Sequence, residues 1–393
     1  MSYVTDRAYG SNSLWVWWQG LRDRLQGRHA RANARRGFLR PPLGTGRLVW
    51  VEAGGDEDSI RLALGALRAL RESRLDLRLV LTFEHEYRPL LERDLAGLAN
   101  TGFGYGPCDT PRVVRRTLRA LSPFGVIIAG RRPAANLCAA LAETSTRCIA
   151  LHTPAATTGH FEAAYPADNM QAQSWRQCAR ADYVAPAADL ATLLVEAQVD
   201  PNFRGLLTGA ASLSLWWLLG VRAHDTAALA AWWAASPLRR DSILIVSPAD
   251  DARDMPRQWL RVSSWSRSAL SAGSILLADD NRWLPAIAAA SDAVHVMHAR
   301  GSPFWQAMAG GCPMSVADLA AAVARFNSMP AAQAQALFAG VHAFDELERF
   351  WRTLQDDPIA ARTRADQLRR AFWGERRRAS DVNRELLQRV YDW

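Results

Sequence analysis

Four carboxylates crowd one short stretch of the chain. In Arg47–Asp58, RLVWVEAGGDED, Glu52 is followed across a Gly54–Gly55 turn by Asp56, Glu57 and Asp58. A carboxylate within hydrogen-bond reach of an alcohol can take its proton, so this turn could supply a general base. Carboxylates in a first helical turn are also favoured by the helix dipole, so the same residues read equally as caps. Both readings need the same local structure. Leu48–Val51 form a short apolar strand, the glycines turn the chain, and Ile60, Ala63, Leu64, Leu67 and Leu70 share one face of a following helix. That is the first half of a βαβ unit, and open α/β sheets build their sites beyond the carboxyl ends of such strands.

Other residues invite the same question. Glu84-His85-Glu86 follows a second apolar stretch, but alternate residues of an extended chain point opposite ways, so it reads as solvated surface rather than a metal site. His295 and His298 flank Met297 at a strand end, in a spacing that suits no zinc motif; His298 is placed to line a cleft. No metal site is expected. The turns Gly209–Ser212 and Gly301–Pro303 each lead into a helix, whose N-terminal amides can hold a phosphate without lysine or metal.

That last point matters because the sequence contains no lysine: all 47 cationic side chains are arginine. A Walker phosphate loop and Schiff-base chemistry through lysine are both excluded. The five cysteines are far apart and form no CxxC pair, which argues against a disulfide framework or a thiolate zinc site and for a reducing compartment. The formal charge of +8 is unevenly spread. Residues 1–40 hold eight arginines against Asp6 and Asp23, a net of +6. A basic terminus beside Trp15, Trp17 and Trp18 suits an anionic membrane surface better than a nucleic-acid groove. The apolar block Ser13–Leu25 falls short of the roughly 20 residues of a spanning helix. It reads as an interfacial helix, or as one packing its tryptophans on the domain.

From Arg47 strands and helices alternate. Strands are expected at 48–52, 77–83, 124–129, 147–151 and 182–185, with helices at 58–73, 87–97, 111–121, 134–143, 166–180 and 187–197. After Pro201–Arg204 a second series begins: strands at 205–209, 242–247, 274–278 and 293–297, and helices at 213–236, 255–270, 282–290, 303–310, 317–326 and onward to the terminus. Gly205–Val221 is uncharged for 17 residues, but its serines, threonine and glycines favour a buried strand and buried helix over a membrane span. Short apolar strands between amphipathic helices indicate parallel, doubly wound sheets. The expected class is α/β of GT-B architecture: two doubly wound Rossmann-like domains facing a cleft, with an N-terminal basic, aromatic helix and a C-terminal helical tail. The expected segments are 1–40, 41–200 and 201–393.

Particular motifs sharpen this. The run ARANARRGFLRPPLGTGRLVWVEAGGDEDSI resembles the start of the bacterial Kdo (3-deoxy-manno-octulosonic acid) transferases, where a basic membrane-associated segment precedes a strand and a glycine turn bearing a catalytic glutamate. DTPRVVRRTL (109–118) is similar to that family's aspartate-proline segment, and RRPAAN (131–136) occupies the place of its TELWPN motif. LLADDNRWLPAIAAASDAVHV (276–296) and SPFWQAMAGGCP (302–313) resemble its donor-side segments. There are departures: Gln306 stands where the family has a glutamate, Pro303 where it has asparagine, and SPADD (247–251) replaces PRHPE.

The resemblance implies transfer of a sugar from a CMP-activated donor to lipid A or another cell-surface glycan in lipopolysaccharide biosynthesis. It puts the base at Asp58, or at Glu57 with a one-residue slip. The acceptor side would comprise Glu52, Gly54, Gly55, Arg131 and Asn136; the donor side, Gly209, Ser212, His298, Ser302 and Gln306. No cofactor beyond the nucleotide-sugar substrate is implied. The expected partners are a lipid-linked or glycan acceptor and an anionic membrane, not nucleic acid, and the expected place is peripheral, at the cytoplasmic face of the bacterial inner membrane. The exchanged motif residues leave two alternatives: a non-catalytic GT-B homologue serving as a binding or scaffold protein in envelope glycan assembly, and a transferase using another nucleotide sugar.

Overall fold

The structure, a computed structural model, describes residues 13–87, 90–92, 98–144, 146–195, 213–249, 254–264, 271–298 and 301–393. The chain divides into two compact units: Met1–Leu190 together with Ala379–Trp393, and Ala191–Arg378.

In the first unit, helices α1 (Ser13–Leu25) and α2 (His29–Arg35) precede β1 (Leu48–Ala53), α3 (Glu57–Ser73), β2 (Arg78–Phe83) and β3 (Thr101–Tyr105). Then come α4 (Pro111–Leu121), β4 (Gly125–Ala129), α5 (Ala135–Ala142), β5 (Arg147–Leu151), β6 (Phe161–Tyr165), α6 (Asn169–Cys178) and β7 (Ala181–Val184). Seven parallel strands lie in the order β3-β2-β1-β4-β5-β6-β7. β1 and β4 are buried along their whole length because helices cover both faces of a parallel sheet, which is why they read as continuous apolar runs. On one face Leu48, Trp50, Val126 and Ile128 pack with Leu137 and Cys138 of α5.

The second unit repeats the plan. β8 (Ser214–Val221), α7 (Thr226–Ala235), β9 (Ser242–Pro248), β10 (Leu260–Arg261), β11 (Ile275–Leu277), α8 (Leu284–Ala290) and β12 (Ala293–Val296) come first. α9 (Ser302–Gly310), β13 (Met314–Val316), α10 (Leu319–Val323), α11 (Ala331–Ala336), β14 (Ala339–Gly340), α12 (Phe344–Asp356) and the long α13 (Pro358–Tyr391) complete it. The parallel order is β10-β11-β9-β8-β12-β13-β14. Strand alternation sends Trp216 and Trp217 to opposite faces. Trp216 stacks on Trp351 at 4.9 Å between ring centroids, while Trp217 packs with Trp305 and Met308.

Two doubly wound parallel sheets and a helical tail match the expected class. Several element expectations are corrected. The helix expected over 213–236 is β8 followed by α7 from Thr226. A strand buried on both faces has no amphipathic period to distinguish it from a buried helix. The helix expected at 166–180 is α6, Asn169–Cys178, which starts where Asp168 caps it, its side chain accepting from Gln171 N at 2.8 Å, while β6 just before it was not expected. The helix expected at 187–197 is a 3-10 turn at Leu190–Leu194, and that at 255–270 begins with β10 and a 3-10 turn at Val262–Ser264. β3, β13 and β14 were not expected at all. The strand expected at 205–209 lies outside the described residues, as does most of the helix expected at 87–97.

The end of α13 belongs to the first unit through specific contacts. The Tyr165 and Tyr183 hydroxyls meet the two Glu385 oxygens at 3.3 and 3.0 Å, and Trp393 Nε1 donates to Glu162 at 3.2 Å. Among the described residues no helix is long and apolar enough to cross a membrane.

Helix α1 is turned inside out. Leu14, Trp17, Trp18, Leu21 and Leu25 recur at helical spacing, yet Trp17 is 66% exposed and Leu25 80%. The buried side carries Val16, Gln19 and Asp23, and Asp23 pairs with the buried Arg35 of α2 at 2.6 Å.

Candidate functional site

In each sheet the strand order reverses at one point: between β1 and β4 in the first unit, and between β8 and β12 in the second. Chains leaving neighbouring strands there diverge to opposite faces, which opens a crevice at the carboxyl ends.

At the first point, Glu52 lies on the same side of β1 as Leu48 and Trp50 by the two-residue period, at the sheet's carboxyl edge. It is 2% exposed. Arg131, just past β4, donates through one terminal nitrogen to Glu52 Oε1 at 2.8 Å. Its other terminal nitrogen lies 3.3 Å from Glu84 Oε1, just past β2. One guanidinium, placed just past β4, thus spans two carboxylates, Glu52 on β1 and Glu84 just past β2. Burial pushes the Glu52 carboxyl up; Arg131 opposes this, while Glu84 and Asp109 add to it. Glu52 Oε2 is buried and, among the described residues, has no hydrogen-bond partner.

The glycine turn is shaped by close approach. A side-chain carbon on Gly54 would come within 2.8 Å of Ser59 Oγ, and one on Gly55 within 2.9 Å of Glu84 Oε2. The Tyr87 hydroxyl donates to Gly55 O at 3.2 Å. Asp56 is the N-cap of α3, accepting from Ser59 N at 2.8 Å and from Ser59 Oγ at 2.6 Å. Glu57 accepts from Arg61 one turn on, at 2.7 Å, and Asp58 is half-buried in the first turn of α3. The capping chemistry falls on Asp56, and Glu57 is engaged along its own helix. Asn136 opens α5 tied to Asp109: its backbone N–H donates to Asp109 Oδ2 at 3.2 Å and its side chain to Asp109 O at 2.8 Å. Glu52, Gly54, Gly55 and Arg131 converge at this edge, with Asn136 held beside it by Asp109. Glu84 is a site residue that sequence reasoning set aside as surface. Its position directly after a buried strand was the available signal.

At the second point, His295 on β12 is 5% exposed, its Nδ1 3.0 Å from Ser315 Oγ. Burial, with further lowering from His298 and His342, holds its imidazole down at about 4. His298 is partly exposed, its Nε2 3.9 Å from Asp225 Oδ2 after β8. Gly301 adopts φ 63° and ψ −141°, backbone open to glycine alone, and delivers the chain into α9. Ser302 and Gln306 are one turn apart on that helix, each 8% exposed, beside the fully buried Phe304 and Trp305. The structure brings His298, Ser302 and Gln306 to one end of the sheet; Gly209 and Ser212 lie outside the described residues. Ser247, the first residue of the SPADD segment, is a core partner, accepting from Trp217 Nε1 at 2.9 Å. Among the described residues no group of His, Cys, Asp and Glu has the arrangement of a metal site.

No family model matches the chain, and no curated protein matches it by sequence. Solved structures do match it in fold. A putative UDP-N-acetylglucosamine 2-epimerase from Listeria monocytogenes superposes with TM-score 0.56 and 11% identity over 89% of this chain and 98% of that one. The Anabaena protein HepE in complex with UDP-glucose gives 0.56 and 12%, over 89% and 100%. A Polygonum tinctorium UDP-glucosyltransferase that glucosylates indoxyl gives 0.51 and 10%, over 88% and 98%. The chain has the GT-B fold these proteins share.

Proposed function

We propose that the chain is a GT-B glycosyltransferase that binds a nucleotide-activated sugar on its second unit. The observation that carries this is the Gly301 turn into α9 at the reversal point of the second sheet. An amide-bearing helix start preceded by a glycine-only conformation is where a phosphate is held without lysine. The structural neighbours add support, since UDP or a UDP-sugar appears in their descriptions.

The sequence resemblance favours a CMP-linked donor of the Kdo type and a lipid A or other envelope glycan acceptor; the fold neighbours favour a uridine nucleotide. Thermal shift with CMP, CDP, UDP and GDP separates these readings, because a ligand that binds only the folded state raises its melting temperature by mass action. A shift with CMP supports the Kdo-type donor and a shift with UDP replaces it. Silence from all four at millimolar concentration would sink the transferase reading. Gln306, an amide where the resembling family has a glutamate, favours the second reading of a binding homologue without turnover.

The proposal extends to the membrane. The outward apolar face of α1, with Arg22, Arg24 and Arg28 exposed around it, fits an anionic lipid surface, tryptophans at headgroup depth and arginines on phosphate. This supports peripheral association with the cytoplasmic membrane face.

A further inference from the structure

Helix α4 exposes Arg112, Arg115, Arg116 and Arg119, spaced i, i+3, i+4 and i+7, so the four line one side. Its sequence, PRVVRRTLRAL, contains no carboxylate. Elsewhere in this protein surface arginines are matched along their own helices. Arg61 pairs with Glu57 on α3, Arg352 with Glu348 on α12, and Arg369 and Arg384 with Asp366 and Asp381 on α13. On α4, among the described residues, the hydrogen-bond partners of the stripe are backbone carbonyls: Pro111 O for Arg115 at 3.2 Å and Arg36 O for Arg116 at 2.9 Å. Like charges three and four residues apart repel, and Arg112 sits in the first turn, where the helix dipole disfavours a cation. An apposed anionic surface removes that cost.

The stripe adjoins apolar surface in the same unit. Arg116 and Arg36 flank the ring of Phe38, 52% exposed, with guanidinium carbons 4.5 and 5.6 Å from its centroid. Gly37 lies so close to α4 that a side-chain carbon there would meet Val113 O at 2.8 Å. This loop directly follows α2, which the Asp23–Arg35 pair ties to α1. A nucleic acid would engage the arginines but leave the outward aliphatic Leu14 and Leu25 of α1 without a role. An anionic bilayer engages both kinds of surface, phosphates on guanidinia and apolar side chains at headgroup depth.

Resting on the membrane reading above and deepening it, we infer that the α4 stripe is a docking surface for anionic lipid headgroups. Arg112, Arg115 and Arg119 meet the phosphates, and Phe38 enters the headgroup layer beside them. The stripe selects anionic over zwitterionic bilayers, while α1 supplies the apolar hold.

The test is co-sedimentation of the full chain with vesicles of phosphatidylcholine alone and of phosphatidylcholine with about one-third phosphatidylglycerol. One arginine at an anionic surface is worth about fivefold in binding, so replacing Arg112, Arg115 and Arg119 together by glutamine should weaken binding to the anionic vesicles more than about tenfold. The melting temperature of that variant should hold or rise, because repulsion along α4 is relieved. Arg362→Gln, Arg370→Gln and Arg377→Gln together remove the same charge from the exposed side of α13 and should keep most of the binding. Equal losses from the two triple variants overturn the inference, since net charge alone would then act. Full vesicle binding by the α4 variant overturns it too; if replacing Trp17 and Trp18 by serine abolishes that binding, the contact through α1 stands by itself. Loss in the α4 variant with full binding in the tryptophan variant keeps this inference and removes the α1 contact. No sedimentation of the parent protein with either vesicle fails both. An α4 variant that keeps the vesicles but loses retention of a duplex DNA fragment assigns the stripe to nucleic acid instead.

Discussion

A side-chain carbon on Gly125 would lie 2.1 Å from the indole of Trp393. The first residue of β4 and the last residue of the chain are therefore fitted to one another, with the ring 1% exposed and its N–H on Glu162. Trp393→Ala should cost about 3–5 kcal/mol in urea unfolding, the usual range for emptying a buried tryptophan site. Gly125→Ala should cost about 1–3 kcal/mol by overpacking. In the double variant the alanine at 125 finds the ring gone, so its penalty should largely disappear. Additive penalties would contradict the contact.

The start of α9 yields a prediction in which stability and binding are read separately. Ser302→Asp puts a carboxylate in a first helical turn, which the dipole favours, but at a side chain only 8% exposed, where desolvating the charge costs more, so the melting temperature without nucleotide should fall. The same charge would repel a bound phosphate and should abolish the nucleotide-induced shift. Retention of the shift would place the nucleotide elsewhere.

Helix α1 should act through its outward face. Replacing Trp17 and Trp18 together by serine should leave the melting temperature unchanged, since both indoles are more than half exposed. Co-sedimentation with anionic vesicles should fall about tenfold, and in the parent protein should weaken as salt rises. Equal sedimentation of parent and variant would show that this face does not meet lipid.

His295 sets a pH dependence of definite sign. Its folded-state value of about 4 lies below the ordinary 6.5, so an unfolded chain takes up the proton first as pH falls. Stability should be unaffected above pH 6.5 and decline between there and about 4, by on the order of 3 kcal/mol from this group. The stability difference between the parent protein and His295→Gln, followed by urea unfolding across that window, should change by a comparable amount. A constant difference would show that the imidazole stays neutral in both states.

Much of the scaffold could be read in advance where local chemistry and burial agree. Pro111 at the first position of α4 and the apolar run of β5 set boundaries that structure and sequence share. Reading faltered where burial erased the pattern. β8 is apolar on both faces, and β3, TGFGY, has glycine at two of the five positions whose side chains would mark a strand.

By itself the sequence determined the alternation of strands and helices, the glycine turn after β1, the absence of lysine chemistry and the basic, tryptophan-rich terminus. Each follows from residue type and near spacing. Only the tertiary structure decided what those residues face. Glu52 meets Arg131 from 79 residues further along, because β4 pairs beside β1, and meets the neighbourhood of Glu84 because β2 pairs on the other side. Asp56 caps α3, and Glu57, one of the two expected bases, pairs with Arg61 along the same helix. The stripe of α1 was legible, but its outward direction was settled by Asp23 turning inward to the buried Arg35. Periodicity gives a helix its two faces; which one meets water depends on the partners that packing brings to it.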